Sequence, residues 1–248
     1  MKGIDLTNHP NIVGRKADLN PNQPGLLKFT KKYEEKKKVG DSFEKTISLR
    51  ISKSFPNMIL LDDVYFETGV YNTKLCMYES MQIDHLLITP KGILVIEDKY
   101  IDDAKYISVS GGALSKTWSL KKRIGNISET NGLKQNYRHM QFIQELVAYI
   151  GMNVPVFQMT IIGGISRDKI RVQQFIDANL VTENEVVDRI NYIFKAKQDI
   201  EMSMQKINDE LSKWICTVPD IEKSHIAYIR NKEKKKLPAR CKKVMRSI

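Results

Sequence analysis

The sequence predicts a mixed α/β fold, a central sheet flanked by helices. Three observations carry this. Helical and strand-like stretches follow one another in the order helix, strands, hairpin, hairpin, helix, strand, helix, which suits a layered domain and neither a bundle nor a doubly wound sheet. Residues 82–99 read as two strongly apolar strands joined by a tight turn. No glycine-rich phosphate loop occurs: neither the nucleotide-binding lysine pattern nor a dinucleotide fingerprint is present.

Each element has its own signal. Residues 1–38 read as an extension, broken by Asn8-His9-Pro10 and by Asn20-Pro21-Asn22-Gln23-Pro24-Gly25, with the mixed charges of 31–38 marking a solvated stretch. A helix is expected to start near Gly40-Asp41-Ser42, because Phe43, Ile47 and Ile51 recur every four residues with charges between them. Residues 57–66 read as the first strand, and 71–78 as an irregular one. After the hairpin at 82–99, residues 106–109 and 113–120 flank Gly111-Gly112 as a second hairpin, with Trp118 packed inside it. Residues 121–130 read as loop. Asn131 is placed to cap a helix over 132–150, with Gly151 as its stop. Residues 154–162 form an apolar strand. Thr182-Glu183-Asn184-Glu185 is a capping box opening a helix to about Phe194. A last helix is expected over 198–215, with Met202, Ile207, Leu211 and Trp214 as its stripe. The organisation read from this is an extension (1–38), a core (39–152), a strand and helices completing the same domain (153–220), and a tail (221–248).

The hairpin carries the chemistry. Its apolar run is interrupted by Asp84 on the first strand and by Glu97, Asp98 and Lys99 on the second. A sheet core takes a charge only at a cost of several kcal/mol unless the charge is paired or binds a metal. With Pro90-Lys91 at the centre of an even loop, residue 88 faces 93 and residue 84 faces 97. Residues directly opposite share a face, so Asp84, Glu97 and Lys99 converge while Asp98 points away. A bulge at Gly92 would instead set Asp84 against Asp98. Two carboxylates and a lysine aimed at one spot are the parts of a magnesium-dependent phosphodiesterase.

Composition agrees with a soluble, cytoplasmic protein. The 248 residues suffice for one good core, and no apolar run approaches the ~20 residues that span a bilayer. Cys76, Cys216 and Cys241 are odd in number and far apart, giving neither a disulfide framework nor zinc spacing. Net charge is +11, and residues 230–248 hold nine basic residues against one acid, Glu233. Such a tail is either a solvated end or a phosphate-binding arm. Beside a nuclease-like site the arm is the reading taken, with Lys234, Lys235, Lys236, Arg240, Lys242 and Lys243 as its cations. His85 alternates away from Asp84, which assigns it to packing or support. His9, His139 and His225 are scattered and form no ligand spacing. Tyr137 and Arg138 read as a mixed helix face. No Ser or Cys is paired with a base.

The helix carrying Glu44, the strand Gln82-Ile83-Asp84-His85, the strand Gly92-Ile93-Leu94-Val95-Ile96-Glu97-Asp98-Lys99, Trp118 and Asn131-Gly132-Leu133-Lys134-Gln135 together resemble the NERD (nuclease-related) domain. That family belongs to the restriction-endonuclease-like PD-(D/E)XK superfamily, and the resemblance covers roughly residues 39–150. It implies a restriction-endonuclease-like core with a metal-dependent nuclease site. In that site Asp84 and Glu97 hold Mg²⁺ (or Mn²⁺), Lys99 is the catalytic lysine, Glu44 is an additional metal ligand and Gln135 touches the nucleic-acid backbone. The chain departs from the family at Asp98, where an apolar residue or Thr is usual, and at Asn131-Gly132, where Asn-Pro is usual. The function expected is phosphodiester hydrolysis in nucleic acid, DNA before RNA, with no membrane partner and with a homodimer permitted. The alternatives are a non-cleaving nucleic-acid-binding protein on the same fold and an interaction or scaffold protein.

Overall fold

A computed structural model of the chain describes residues 30–72, 77–102, 104–109, 115–122, 125–172, 180–217, 225 and 229. The basic tail, with Lys234, Lys235, Lys236, Arg240, Lys242 and Lys243, and the N-terminal stretch 1–29 lie outside the described residues. The described residues fall into two compact units: those of 39–64 and 83–213, and those of 30–38, 65–82, 214–217, 225 and 229.

The larger unit is a mixed α/β structure with helices against its sheets, as the sequence predicts. Its elements include α1 (Thr30–Ser54), β1 (Ile59–Asn72), β2 (Met77–Thr89), β3 (Gly92–Tyr100), β4 (Ala104–Val109), β5 (Thr117–Lys122), β6 (Gly125–Thr130), α2 (Gly132–Tyr149), β7 (Val156–Gly163), β8 (Ile170–Val172), β9 (Leu180–Thr182), α3 (Val186–Lys195) and α4 (Met204–Ser212). Helix α1 and strands β1 and β2 run on into the other unit. One sheet has the order β1-β2-β3-β7-β9 and the other β6-β5-β4-β8. Strand β3 pairs antiparallel with β2 and parallel with β7. The parallel pair needs a long crossover, which β4 to β6 and α2 supply.

Strand β3 is buried on both faces through Asp98, as its near-continuous apolar run requires. On one face Leu94 and Ile96 pack with Phe43, Ile47 and Ile51 of α1, Met159 and Ile161 of β7, and Ile190 and Phe194 of α3. On the other face lies α2. Its Asn136 amide donates to the carbonyls of Met159 (2.7 Å) and Val95 (3.3 Å), tying the helix to the sheet. The second sheet closes a further core of Ile107, Trp118, Leu120, Leu133 and Ile162.

Several expected elements form and others differ. Asn131 caps α2, its Oδ1 accepting from the Lys134 amide at 3.1 Å, and Gly151 follows with φ +75°. The capping box at Thr182–Glu185 is made in full. The helix expected from about residue 40 begins at Thr30. The described part of 71–78 is the end of β1 and the start of β2, not a strand of its own. Residues 125–130, read as loop, are strand β6, paired with β5. Its side chains are largely exposed, Ile127 by 47%, so backbone pairing holds it and no apolar alternation marks it. The last helix is shorter than expected. Ser203 caps it, accepting from the Lys206 amide, and Met202 and Trp214 fall outside.

In the smaller unit Phe66 bridges Ile215, the Cys216 amide donates to the Tyr65 carbonyl at 2.7 Å, and His225 meets the Tyr65 ring edge-on. No helix among the described residues is long and apolar enough to cross a membrane.

Candidate active site

The turn sets everything that follows. The Thr89 hydroxyl donates to the Gly92 carbonyl at 2.9 Å, and the Lys91 amide donates back to the Thr89 oxygen at 3.1 Å. Gly92 has φ +136°, and a Cβ there would stand 2.5 Å from the Pro155 carbonyl oxygen, so glycine is required on both counts. The loop is therefore Pro90-Lys91, and Thr89 pairs with Gly92, Ile88 with Ile93 and His85 with Ile96. This is the even register. The bulged alternative, with Asp84 against Asp98, does not form.

Strand alternation then sorts the charges onto two faces. Glu97 and Lys99 share the face turned toward α2, where Lys99 Nζ stands 2.5 Å from Glu97 Oε1. Asp84 belongs with them. Its Oδ2 accepts the Asp98 backbone amide at 2.8 Å. His139 of α2 brings Nδ1 to 3.2 Å from Glu97 Oε2. That distance suits an ion pair, but the two atoms are out of hydrogen-bond alignment and both are buried without a hydrogen-bond partner. The Lys99 stem crosses the start of α2 at Gly132, where a Cβ would lie 3.0 Å from Lys99 Cγ.

The electrostatics of this face are unbalanced. Burial raises the Glu97 carboxyl, but the Lys99 ammonium and then His139 outweigh it, and the group is held below the ordinary value. Asp84 goes the other way: burial and then the charge of Glu97 push it well above the ordinary value, more than Lys99 offsets. Lys99 is shifted upward because Glu97 and Asp84 together overcome its desolvation. One ammonium is thus shared by two buried carboxylates, and it serves Glu97 better.

The opposite face of β3 carries a second set. His85 Nε2 is 3.0 Å from Asp98 Oδ2, and His85 Nδ1 is 2.6 Å from Asp62 Oδ1 on β1. The Ser48 hydroxyl of α1 donates to Asp62 Oδ2 at 2.5 Å. Both ring nitrogens face carboxylates, an arrangement that favours the imidazolium, which donates from both. Burial alone would lower its pKa, but the bonds to Asp62 and Asp98 push it up to about 10. Glu44, on α1, is half-buried and pushed up to about 7, by burial first and by Asp98 next.

The structure thus gathers Asp84, Glu97 and Lys99 on one face. Glu44 comes from the helix that covers the other face. Among the described residues no group of three or more His, Cys, Asp or Glu is arranged to hold an ion, so Asp84, Glu97 and Glu44 are not assembled as one shell. Gln135 stands half-buried in the first turn of α2. His139, Asn136, Asp62 and Ser48 were not singled out by sequence as site residues. The usable signal was Asn136 and His139, two polar residues inside the otherwise apolar stripe Leu133, Phe142, Ile143 and Leu146 of α2.

The donor chemistry of the first face suits a divalent cation. Glu97 Oε2 is a buried oxygen with no hydrogen-bond partner, and Asp84 carries repulsion that one lysine does not relieve. Hard carboxylate oxygens suit Mg²⁺ or Mn²⁺, and Mg²⁺ is commonly held by one or two carboxylates with water completing its shell.

A mixed sheet between helices, with an acid on one strand and an acid-x-Lys triplet on the next, defines a PD-(D/E)XK-like core. The model of the nuclease-related domain (NERD) matches residues 36–163, just over half of the chain. The chain belongs to this family, which is placed within the PD-(D/E)XK nuclease superfamily. The comparisons with curated proteins and with solved structures found no match.

Proposed function

We propose that the protein is a Mg²⁺- or Mn²⁺-dependent nuclease that hydrolyses phosphodiester bonds in DNA. The observation that carries this reading is the Glu97–Lys99 contact of 2.5 Å beside Asp84, with Glu97 Oε2 buried and lacking a hydrogen-bond partner. Asp84 and Glu97 would hold the ion, and Glu44 of α1, which is not assembled with them, would act on it through water. When bound, the ion supplies Lewis-acid polarisation of the phosphate and a more acidic water. Lys99, kept charged by its two acids, stands ready to offset negative charge developing on the phosphate; such preorganised charge is often the largest catalytic contribution. His139 steadies Glu97 from α2, and the Asp98 amide orients Asp84. Gln135 at the start of α2, and Lys234, Lys235, Lys236, Arg240, Lys242 and Lys243 of the tail, would grip the phosphate backbone. A cytoplasmic setting is part of the same reading.

The test is incubation with supercoiled plasmid, linear DNA and RNA, with Mg²⁺, Mn²⁺ or chelator. Cutting that needs the metal and disappears in Lys99→Ala is expected. Salt-sensitive binding without cutting would replace the enzyme with a binding protein on the same fold. Neither cutting nor binding would leave an interaction protein.

A further inference from the structure

The regular pairing of β2 with β3 stops at His85↔Ile96, one step short of the two acids. Beyond that point side chains join the strands, and both joints meet at Asp98. On one face its amide donates to Asp84 Oδ2; on the other its carboxylate takes His85 Nε2. Consecutive residues of β2 therefore grip a single residue of β3 from opposite sides. Asp98 Oδ1 is buried without a hydrogen-bond partner, so the bond to His85 holds this side chain. His85 is anchored in turn through Nδ1 to Asp62 of β1, which accepts from Ser48 of α1. Glu97 and Lys99 have a separate hold, since β3 stays paired with β7 through Tyr100. What the His85 bond governs is the place of Asp84 relative to them.

We propose that His85 is a positioning residue: through its Nε2 bond to Asp98 it sets the spacing between Asp84 and Glu97, and so the affinity of that pair for a divalent cation. The proposal rests on the nuclease reading above. It differs from a packing role in requiring one ring nitrogen more than the other. A Gln amide reaches to the place of Nε2 and an Asn amide to the place of Nδ1, so the two variants separate the Asp98 bond from the Asp62 bond.

The experiment uses the full chain. Mn²⁺ binding is followed by electron paramagnetic resonance, and plasmid cleavage by kcat and KM, in wild type, His85→Gln, His85→Asn and His85→Leu. His85→Gln is expected to stay closest to wild type. His85→Asn and His85→Leu are expected to bind Mn²⁺ about 10–100-fold more weakly and to lose kcat in proportion, with KM for DNA unchanged. Asn equal to or better than Gln, or wild-type affinity in all three, overturns the proposal. Should His85→Leu fail to fold, His85→Leu/Asp98→Leu removes both polar partners together, which a core tolerates far better. Weak Mn²⁺ binding by that folded double variant supports the proposal, and wild-type affinity in it overturns the proposal. Wild-type protein that neither takes up Mn²⁺ nor cuts overturns the nuclease reading as a whole, a pattern distinct from an active wild type with unchanged variants.

Discussion

The two faces of β3 share their buried charge differently. The face with Asp98 is the more closed: His85 stands between two carboxylates and bonds both, although Asp98 Oδ1 is itself buried without a hydrogen-bond partner. The face with Glu97 is left short. Two carboxylates share Lys99, His139 approaches out of line, and Glu97 Oε2 makes no hydrogen bond. Both arrangements lie within one hairpin, so burial alone does not explain the difference. What differs is how the cation is shared: His85 bonds both of its acids, whereas Lys99 bonds Glu97 and no such bond joins it to Asp84 among the contacts described.

Removing the cation of the open face should have the largest effect. Lys99→Ala is expected to lower kcat by roughly 10²–10³-fold, measured on plasmid at saturating Mg²⁺. Next comes the closed face. His85→Leu strands Asp98 without its partner and should cost about 3–5 kcal/mol in urea melts, whereas His85→Leu/Asp98→Leu should cost much less, because breaking a buried pair is worse than replacing it. The contribution of His85 also carries a sign with pH. Its folded pKa of about 10 lies above the ordinary 6.5, so its stabilisation is full below about 6.5 and is lost as pH rises through 10. The gap between wild type and the double variant should narrow over that window. If the open face takes an ion, Mg²⁺ at a hundred times its Kd should stabilise wild type by about 2.7 kcal/mol and leave Glu97→Gln unmoved in thermal melts.

The smallest effect concerns Glu44, which borders the closed face. Its pKa of about 7 lies above the ordinary 4.5, so the protonated form favours folding. That contribution is present below about pH 4.5 and is lost as pH rises through 7. Glu44→Gln should therefore melt roughly 1–3 °C above wild type at pH 8, after allowance for solvent screening, and level with it at pH 4. If Glu44 also reaches the ion, the same variant should show a smaller Mg²⁺-induced rise in melting temperature.

Much of this was legible along the chain. Pro90 and Gly92 mark the turn, and an apolar run on each side with period-two alternation places Asp84, Glu97 and Lys99 together. Asn131 and Thr182-x-x-Glu185 announce their helices by side-chain chemistry that acts within four residues. Strand β6 was not legible, because an exposed edge strand is held by backbone bonds common to all residues. Strands β8 and β9 are three residues long, too short for a period to register.

Sequence by itself determined the hairpin, its register and the sharing of one face by two acids and a lysine, because these follow from local turn chemistry and the pleat of a strand. Tertiary structure alone decided the partners. His139 reaches Glu97 because Asn136 ties α2 to the sheet, and Asp62 reaches His85 because β1 and α1 lie beside β2. Those contacts join residues far apart in the chain, and no local pattern records which distant side chain will arrive to neutralise a buried charge, or which charge will be left waiting.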